Sequence, residues 1–478
     1  MSRRRSQLDR RAFLEAAAAA LLAACAPKTG GSGAGADAGT GADGEPDIPI
    51  APDAPILVVG AGLSGLAAAA QLVTRGFTNV RVIEARDRIG GRIHTDRSTG
   101  HAFDLGAAWV QYSTDPTNPL LGILNQLGVE PPVTNWDSLQ VYDEQTGAVS
   151  STTLTSGENK IEDDLDTVGD TIARLANEDV SLGSVLQPLL DQGFTTAAQL
   201  RLLNFLVAYY IVNDYAAEIA DIGAYDMASN APGPSEDEVD QLVGGFDVLT
   251  ESLAQGLNIQ LSEPVQSISY DQDSVRVVTS LATYDVAAVI VTLPVGVLRS
   301  GAVVFDPPLP DAKQQAIMDI GFGTFEKAIL IYDQAFWPTA TTSFGYASAT
   351  ENACPFWLNA QATSGVPALV AMFTGNGALY ASSLSDADLQ ALVTGQVATM
   401  FGATSPAPTA MIRTNWTTDP YSLGAYTYPA IAPVATAIAA LAAPVGGRLF
   451  FAGEATDPDW YSYTQGAYLS GIRAANEL

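Results

Sequence analysis

The chain has 478 residues, 47% of them hydrophobic, and a formal net charge of −30. The hydrophobic share excludes a disordered chain and allows two or three domains with sizeable cores. The charge argues against a nucleic-acid partner, because such a surface repels phosphate. Two cysteines (Cys25, Cys354) and two histidines (His94, His101) are too few for a disulfide framework or a Cys/His metal centre, so no metal site is expected.

The N-terminus reads as an address. Arginines precede an apolar run from about Ala12 to Ala24, too short to span a bilayer but suited to a signal h-region. Arg10-Arg11 followed by Ala12-Phe13-Leu14 resembles a bacterial twin-arginine export signal. Leu22-Ala23-Ala24-Cys25 resembles a lipoprotein lipobox, which implies lipidation at Cys25. Residues 1–25 are therefore expected to be a signal segment and residues 26–53 a Gly-rich flexible linker. The mature protein is expected in the periplasm or on the cell surface, touching the membrane only through Cys25.

Folded structure is expected from Ala54. Ile56 to Val59 is an apolar run suited to a buried parallel strand. Gly60, Gly62 and Gly65 then form G-x-G-x-x-G, and a helix continues through Leu66 to Leu72. Gly60 permits the tight turn, Gly62 a close backbone approach to a pyrophosphate, and Gly65 close helix–strand packing. Leu63 and Ser64 open the helix whose N-terminus faces the phosphates. A second strand, Val80 to Ile83, ends at Glu84, a carboxylate placed for a ribose diol, with Ala85 beside it. These parts in this order define a dinucleotide site. Alone they do not separate NAD from FAD.

The continuation separates them. "EARDRIGGRIHT" adds Arg86, Gly90, Gly91 and Arg92, a second glycine turn with flanking guanidinium groups, suited to the other phosphate and the ribityl chain. With it, the sequence from about Pro55 to Leu478 resembles the flavin-containing amine oxidases, a family that includes monoamine oxidases, polyamine oxidases and flavin histone demethylases. The resemblance implies an α/β, two-domain FAD-dependent amine oxidase fold. It would join a Rossmann-like FAD-binding domain to a substrate domain with a mixed sheet and helices. The implied pieces are FAD-binding at 54–113, 238–300 and 419–478, a helical part of the substrate domain at 114–237, and its sheet and helices at 301–418.

Further implied sites follow from individual matches. "DLGAAWV" would run beside the flavin with Gly106, Ala107 and Trp109, and Val265 would meet the adenine. Lys327 matches the lysine that holds a water against flavin N5, Trp416 a tryptophan packed near the ring, and Tyr426 and Tyr463 the two aromatics flanking the amine. Gly453 and Glu454 match the segment contacting the ribityl or phosphate region, and Thr464 to Ala467 a helix start aimed at the flavin carbonyls. The implied reaction is hydride transfer from a neutral amine to FAD, hydrolysis of the imine, and reduction of dioxygen to hydrogen peroxide.

Some positions depart from relatives. Ala425 stands where monoamine oxidases carry a flavin-linked cysteine, which implies non-covalent FAD. Gln111 and Ala216 stand where plant-type polyamine oxidases have carboxylates, leaving Glu218 as a candidate stand-in and a monoamine or short diamine as a rival to a long polyamine. Two other readings stay open. One is an L-amino-acid oxidase or flavin desaturase, with Arg201, Arg299 or Arg413 taking a substrate carboxylate; the other is a non-catalytic secreted flavoprotein.

Overall fold

The computed structural model describes residues 50–478 except 114, 133, 176–179, 225–239 and 243. The signal segment, Cys25 and residues 26–49 lie outside the described residues, as does most of the polar stretch 230–240. Among the described residues no helix is long and apolar enough to cross a membrane.

A five-stranded sheet organises the nucleotide side. Its order is Leu449–Phe451, Ala288–Val291, Ile56–Val59, Val80–Ile83, Ile259–Gln260, and every pairing is parallel. Ile56–Val59 and Ala288–Val291 are buried at every position, as a sheet covered on both faces requires. The chain leaves Ile56–Val59 through the glycine turn into the helix Leu63–Thr74. That turn therefore sits at the carboxyl ends of the strands, where such sheets bind ligands. A Cβ on Gly65 would lie 1.9 Å from the Gly60 carbonyl oxygen, so only glycine lets the helix start so close to the turn. The C-terminal helix Thr464–Asn476 packs on Leu63–Thr74, and the Gly471 position would set a Cβ 2.2 Å from the Ser64 carbonyl.

A seven-stranded mixed sheet backs the other side, in the order Ala410–Arg413, Phe325–Ile331, Ala368–Thr374, Phe356–Asn359, Ser343–Ala347, Leu139–Asp143, Gly147–Ala148. Phe325–Ile331 is buried almost throughout, and its side chains alternate between two packed faces. Lys327 and Ile329 share one face; Glu326 and Ala328 share the other. Helices Ser151–Leu175, Leu182–Gly193 and Ala197–Val207 close the core over the first of these faces.

Several pieces cross the boundaries read from the sequence. The block 114–237 is not helical alone: Leu139–Asp143 and Gly147–Ala148 form a hairpin that extends the seven-stranded sheet. Gly147, the first residue after its turn, has φ +80°, a local hairpin signal inside a block dominated by helical patterns. Val304–Asp306 pairs in parallel with Val265–Tyr270 and so belongs to the small four-stranded sheet beside the nucleotide side. The helix Ala197–Val207 passes into a π-helical turn, Ala208–Val212, before the short helix Asn213–Tyr215.

Candidate active site

A single cavity of about 1440 Å³ runs from the glycine turn to the face of the seven-stranded sheet. At the turn end it is lined by Gly60, Gly62, Leu63, Ser64, Glu84, Ala85, Arg86 and Val265. Gly90, Gly91, Arg92, Gly106, Ala107, Trp416, Gly453, Glu454, Thr464 and Ala467 continue the wall, with the Trp416 ring centre 5.9 Å from the Arg86 guanidinium, and Trp109, Lys327, Tyr426 and Tyr463 line it toward the sheet. Gly65 does not line it and lies beneath the turn.

The turn end suits a dinucleotide on several counts. A Cβ on Gly62 would meet nothing within 4 Å, so open space stands over that backbone. The helix Leu63–Thr74 has no side-chain cap, and the first-turn N–H groups of a helix have no intrahelical acceptor. The buried Glu84 carboxylate accepts from Ala61 N–H (2.8 Å) and Arg86 N–H (2.9 Å), one on each oxygen. A carboxylate has about four acceptor positions, so capacity remains for a ribose diol. The backbone carbonyls of Glu84 and Arg86 take the N–H groups of Glu263 and Ser262, which draws Val265 to the same wall.

The guanidinium groups flanking the second glycine turn are held by protein carboxylates. Arg86 makes a bidentate pair with Asp419 (2.6 and 2.8 Å) and also donates to Ser422 Oγ (2.9 Å). Arg92 donates to the Ala425 carbonyl (2.6 Å) and to Glu454 Oε1 (3.0 Å). Glu454 in turn accepts from Thr427 Oγ1 (2.6 Å) and Ser462 N–H (3.2 Å). These bonds tie segments more than three hundred residues apart in sequence into one wall.

Lys327 is buried on the face of the seven-stranded sheet, and its Nζ donates to the carbonyls of Asp104 and Gly106, both at 2.8 Å. Its charge lies 5.1 Å from the centre of the Trp109 ring. Burial pushes the ammonium down to about 8, against the upward pull of the Asp104 carboxylate. Burial also raises Asp104, whose Oδ1 accepts from Thr95 Oγ1 (2.5 Å) and Phe246 N–H (2.9 Å). Gly106 must be glycine here, because a Cβ would lie 1.7 Å from the Arg92 carbonyl oxygen. Trp416 Nε1 donates to the Leu105 carbonyl (3.0 Å), completing the brace on residues 104–106.

The aromatics come from distant segments. Tyr463 meets Tyr112 edge-on (5.7 Å between centroids, 80°), and Tyr112 meets Trp460 (4.8 Å, 82°). Tyr426 lies 6.3 Å from Phe325, and its hydroxyl donates to the Asn213 carbonyl (2.8 Å). Sequence reasoning missed Tyr112, Phe325 and Asn213. Asn213 follows the π-helical turn, a distortion that often sits at functional sites but leaves no mark in hydrophobic spacing.

Glu218 is not a stand-in for a missing tunnel carboxylate. It does not line the cavity, and its Oε1 accepts from Asn376 N–H (2.7 Å) at the first turn of helix Gly375–Ser383. The three arginines considered for a substrate carboxylate are committed elsewhere. Arg201 is buried against Asp143 (2.7 and 3.0 Å), Arg299 donates to the carbonyls of Ile317 and Ile320, and Arg413 to those of Leu384 and Ala381. None of the three lines the cavity.

A dinucleotide turn that opens into the same cavity as a buried lysine and a set of aromatic walls belongs to a flavoprotein oxidoreductase. The family profile described as flavin containing amine oxidoreductase matches residues 63–478, and the chain belongs to that family. It is 31% identical over 443 residues to Polyamine oxidase 4 of Oryza sativa subsp. japonica, covering 88% of each chain. To Probable polyamine oxidase 4 of Arabidopsis thaliana it is 33% identical over 440 residues, covering 88% of this chain and 86% of the other. Its fold matches a structure of putrescine oxidase with bound putrescine at a TM-score of 0.71 and 21% identity, covering 89% of this chain and 98% of that one. The protein is an FAD-dependent amine oxidoreductase.

Proposed function

We propose that the protein oxidises a diamine or short polyamine at a C–N bond, holding FAD without a covalent link and working outside the cytoplasmic membrane. The observation that carries this reading is Lys327, buried at the end of the cavity that begins at the dinucleotide turn, with Tyr426 and Tyr463 on its walls. The names of the plant relatives favour a polyamine; glutamine at position 111 favours a shorter chain. Export rests on the arginines and the apolar run of residues 1–25.

FAD, when bound, supplies the acceptor for the two electrons of the amine Cα–H bond. Gly62, Leu63, Ser64, Glu84 and Val265 would hold its nucleotide half, and Arg92, Gly453, Glu454, Thr464 and Ala467 the remainder. Tyr426 and Tyr463 present ring faces that attract the alkyl-amine chain and restrict its angle of approach. The Asn213 carbonyl fixes the Tyr426 phenol, and Tyr112 and Trp460 fix the Tyr463 ring, so both walls are set before substrate arrives. Lys327 as an ammonium has two of its three N–H groups committed to carbonyls, which leaves one bonding position for a water. No thiol stands at Ala425, and Cys354 is buried with Sγ against the carbonyls of Phe356 and Met372 (both 3.2 Å), away from the cavity wall.

The experiment is anaerobic mixing of the flavin-loaded protein, lacking residues 1–25, with putrescine, spermidine, spermine, benzylamine, tyramine and several L-amino acids. Bleaching of the flavin band by putrescine or spermidine, with peroxide appearing on admission of air, is the expected result. Bleaching only by an amino acid, or by none of the amines, would remove the proposal.

A further inference from the structure

Behind Lys327, away from the turn end of the main cavity, lies a second chamber of about 30 Å³. Its floor is the sheet face that carries Lys327, Ile329 and Met372, and its opposite wall is Asp104, Trp109 and Gln241. Lys327 and Trp109 line both spaces. Gly244 and Ser364, both exposed residues, also line the chamber, so part of its wall adjoins the protein surface.

Two residues that line this chamber each carry a polar atom with no hydrogen-bond partner among the described residues, although both atoms are shielded from solvent: Trp109 Nε1, a donor, and Gln241 Oε1, an acceptor. Trp109 and Gln241 are directly opposed across the antiparallel pair Trp109–Val110 and Asp240–Gln241, so their side chains leave the same face as neighbours. A buried donor and acceptor left unmet cost on the order of 1–3 kcal/mol each. A water needs about 10–15 Å³ of such space and two to four polar partners; this chamber has the space, and Trp109 and Gln241 on its wall would supply two partners.

We propose that this chamber is a hydrated port: a water bridges Trp109 Nε1–H and Gln241 Oε1, and through it Lys327 exchanges protons with solvent by a route separate from the substrate cavity. A proton leaving the Lys327 ammonium passes to that water while one of the water's own protons passes outward to bulk water. The lysine ends neutral, the chamber water is unchanged, and no electrons move. The need is specific to this site, because a substrate filling the main cavity closes the other face of Lys327 to solvent. Asp104 is the other ionisable side chain on the chamber wall, with Oδ1 already engaged by Thr95 and Phe246. Glu326 faces the opposite side of the sheet, toward Thr414 and Thr417. The proton-exchange half of the proposal rests on the reading of Lys327 given above; the bridging water does not.

The test uses the FAD-loaded protein with ¹⁵N-labelled indoles. The chain has six tryptophans, so the spectrum is sparse, and Trp109→Phe identifies the Trp109 signal. Wild type should show magnetisation transfer between the Trp109 indole N–H and a long-lived water, and Gln241→Leu should abolish it without moving the other indole signals. Absence of that contact in wild type overturns the bridging water whether or not the protein oxidises amines. In Gln241→Leu the drier chamber should shift the limb belonging to Lys327 in the pH profile for anaerobic flavin reduction downward by about half a unit or more. An unchanged profile with the water gone overturns the port. Ser364→Phe, at an exposed position, should slow solvent exchange of the Trp109 indole N–H by about tenfold without unfolding. Exchange at the wild-type rate would overturn the surface route.

Discussion

Lys313 offers the sharpest test of how the wall of the nucleotide cavity is held. It is only 2% exposed, yet its Nζ donates to the carbonyls of Ala440 (3.0 Å), Leu441 (2.6 Å) and Ala443 (2.7 Å) and lies 3.8 Å from the centre of the Phe451 ring. These carbonyls belong to the end of helix Val434–Ala442 and the residue just beyond it, where intrahelical donors run out. Burial pushes the ammonium down to about 7, a desolvation cost of about 5 kcal/mol from the ordinary value. Against it stand three charge-assisted hydrogen bonds of about 1.5–3 kcal/mol each and a cation–π contact of about 2 kcal/mol. A neutral amine has two N–H groups for three carbonyls, so the geometry favours the ammonium over what burial alone dictates. Lys313→Met should therefore cost about 3–5 kcal/mol in urea unfolding of the flavin-loaded protein, with Lys313→Arg losing less. Because Leu441 and Phe451 line the cavity, FAD should also dissociate faster from the Met variant, read by recovery of flavin fluorescence. The two charge states differ in pH dependence. If the folded pKa lies near 7, the unfolded chain binds more protons between pH 7 and 10.5, and wild-type stability attributable to Lys313 rises across that window. If the carbonyls hold the ammonium, that rise is absent and the Met variant is the weaker at both pH 6 and pH 9. A Met variant within about 0.5 kcal/mol of wild type at both values would refute the reasoning.

Lys327→Met should lower the rate of amine-dependent flavin reduction or of flavin reoxidation by about 10²-fold or more in stopped flow, with FAD still bound; turnover equal to wild type would remove the lysine from the chemistry. For wild type, the limb belonging to Lys327 should appear near pH 8, the neutral amine prevailing above it. Since its folded pKa is lowered from 10.5, its burial penalty is full below pH 8 and fades toward pH 10.5, so this residue makes the fold more stable as pH rises through that window. Gly471→Val, which forces side-chain atoms against the Ser64 carbonyl where even a Cβ would come within 2.2 Å, should cost about 3 kcal/mol or more and weaken FAD retention, seen as free flavin after gel filtration.

How far the sequence reaches depends on the range of the interaction. The turn Gly60–Gly65 and the carboxylate at Glu84 are legible because strand, turn, helix and second strand lie within one short βαβ stretch, where local sterics determine the outcome. Lys327 is legible through its match to the family's lysine, but its two carbonyl partners at residues 104 and 106 are not, since the pairing depends on the packing of separate pieces. Tyr112 shares no pattern with Trp460 and Tyr463, and its φ of +55° is imposed by the fold around it. The hairpin within 139–148 is hidden among helical blocks, and the opposition of Trp109 to Gln241 spans a stretch with no periodic signal. The arginines beside the second glycine turn are visible in the sequence; that Asp419 and Glu454 occupy them is not.

Those pairings decide which charge the cavity accepts. Arg86, Arg92 and Lys327 are the basic side chains on its wall among the described residues. Two are in ion pairs, and the third sits on two carbonyls with its charge disfavoured by burial. The exposed Asp137 and Asp459 also line the wall, in a chain of formal charge −30. An ammonium group entering here moves into a favourable field. A carboxylate would lose its water without gaining a cation, a cost of several kcal/mol. Adding a carboxylate to the substrate tests this: putrescine against its carboxylated analogue ornithine. The kcat/KM for the uncarboxylated diamine should be greater by about 10³-fold, corresponding to about 4 kcal/mol in the transition state. Raising the ionic strength should lower the diamine value while leaving a neutral amine such as benzylamine at high pH unaffected. Equal turnover of ornithine would mean that one of the two ion-paired arginines releases its partner to bind substrate, and Asp419→Asn or Glu454→Gln would then raise carboxylate turnover.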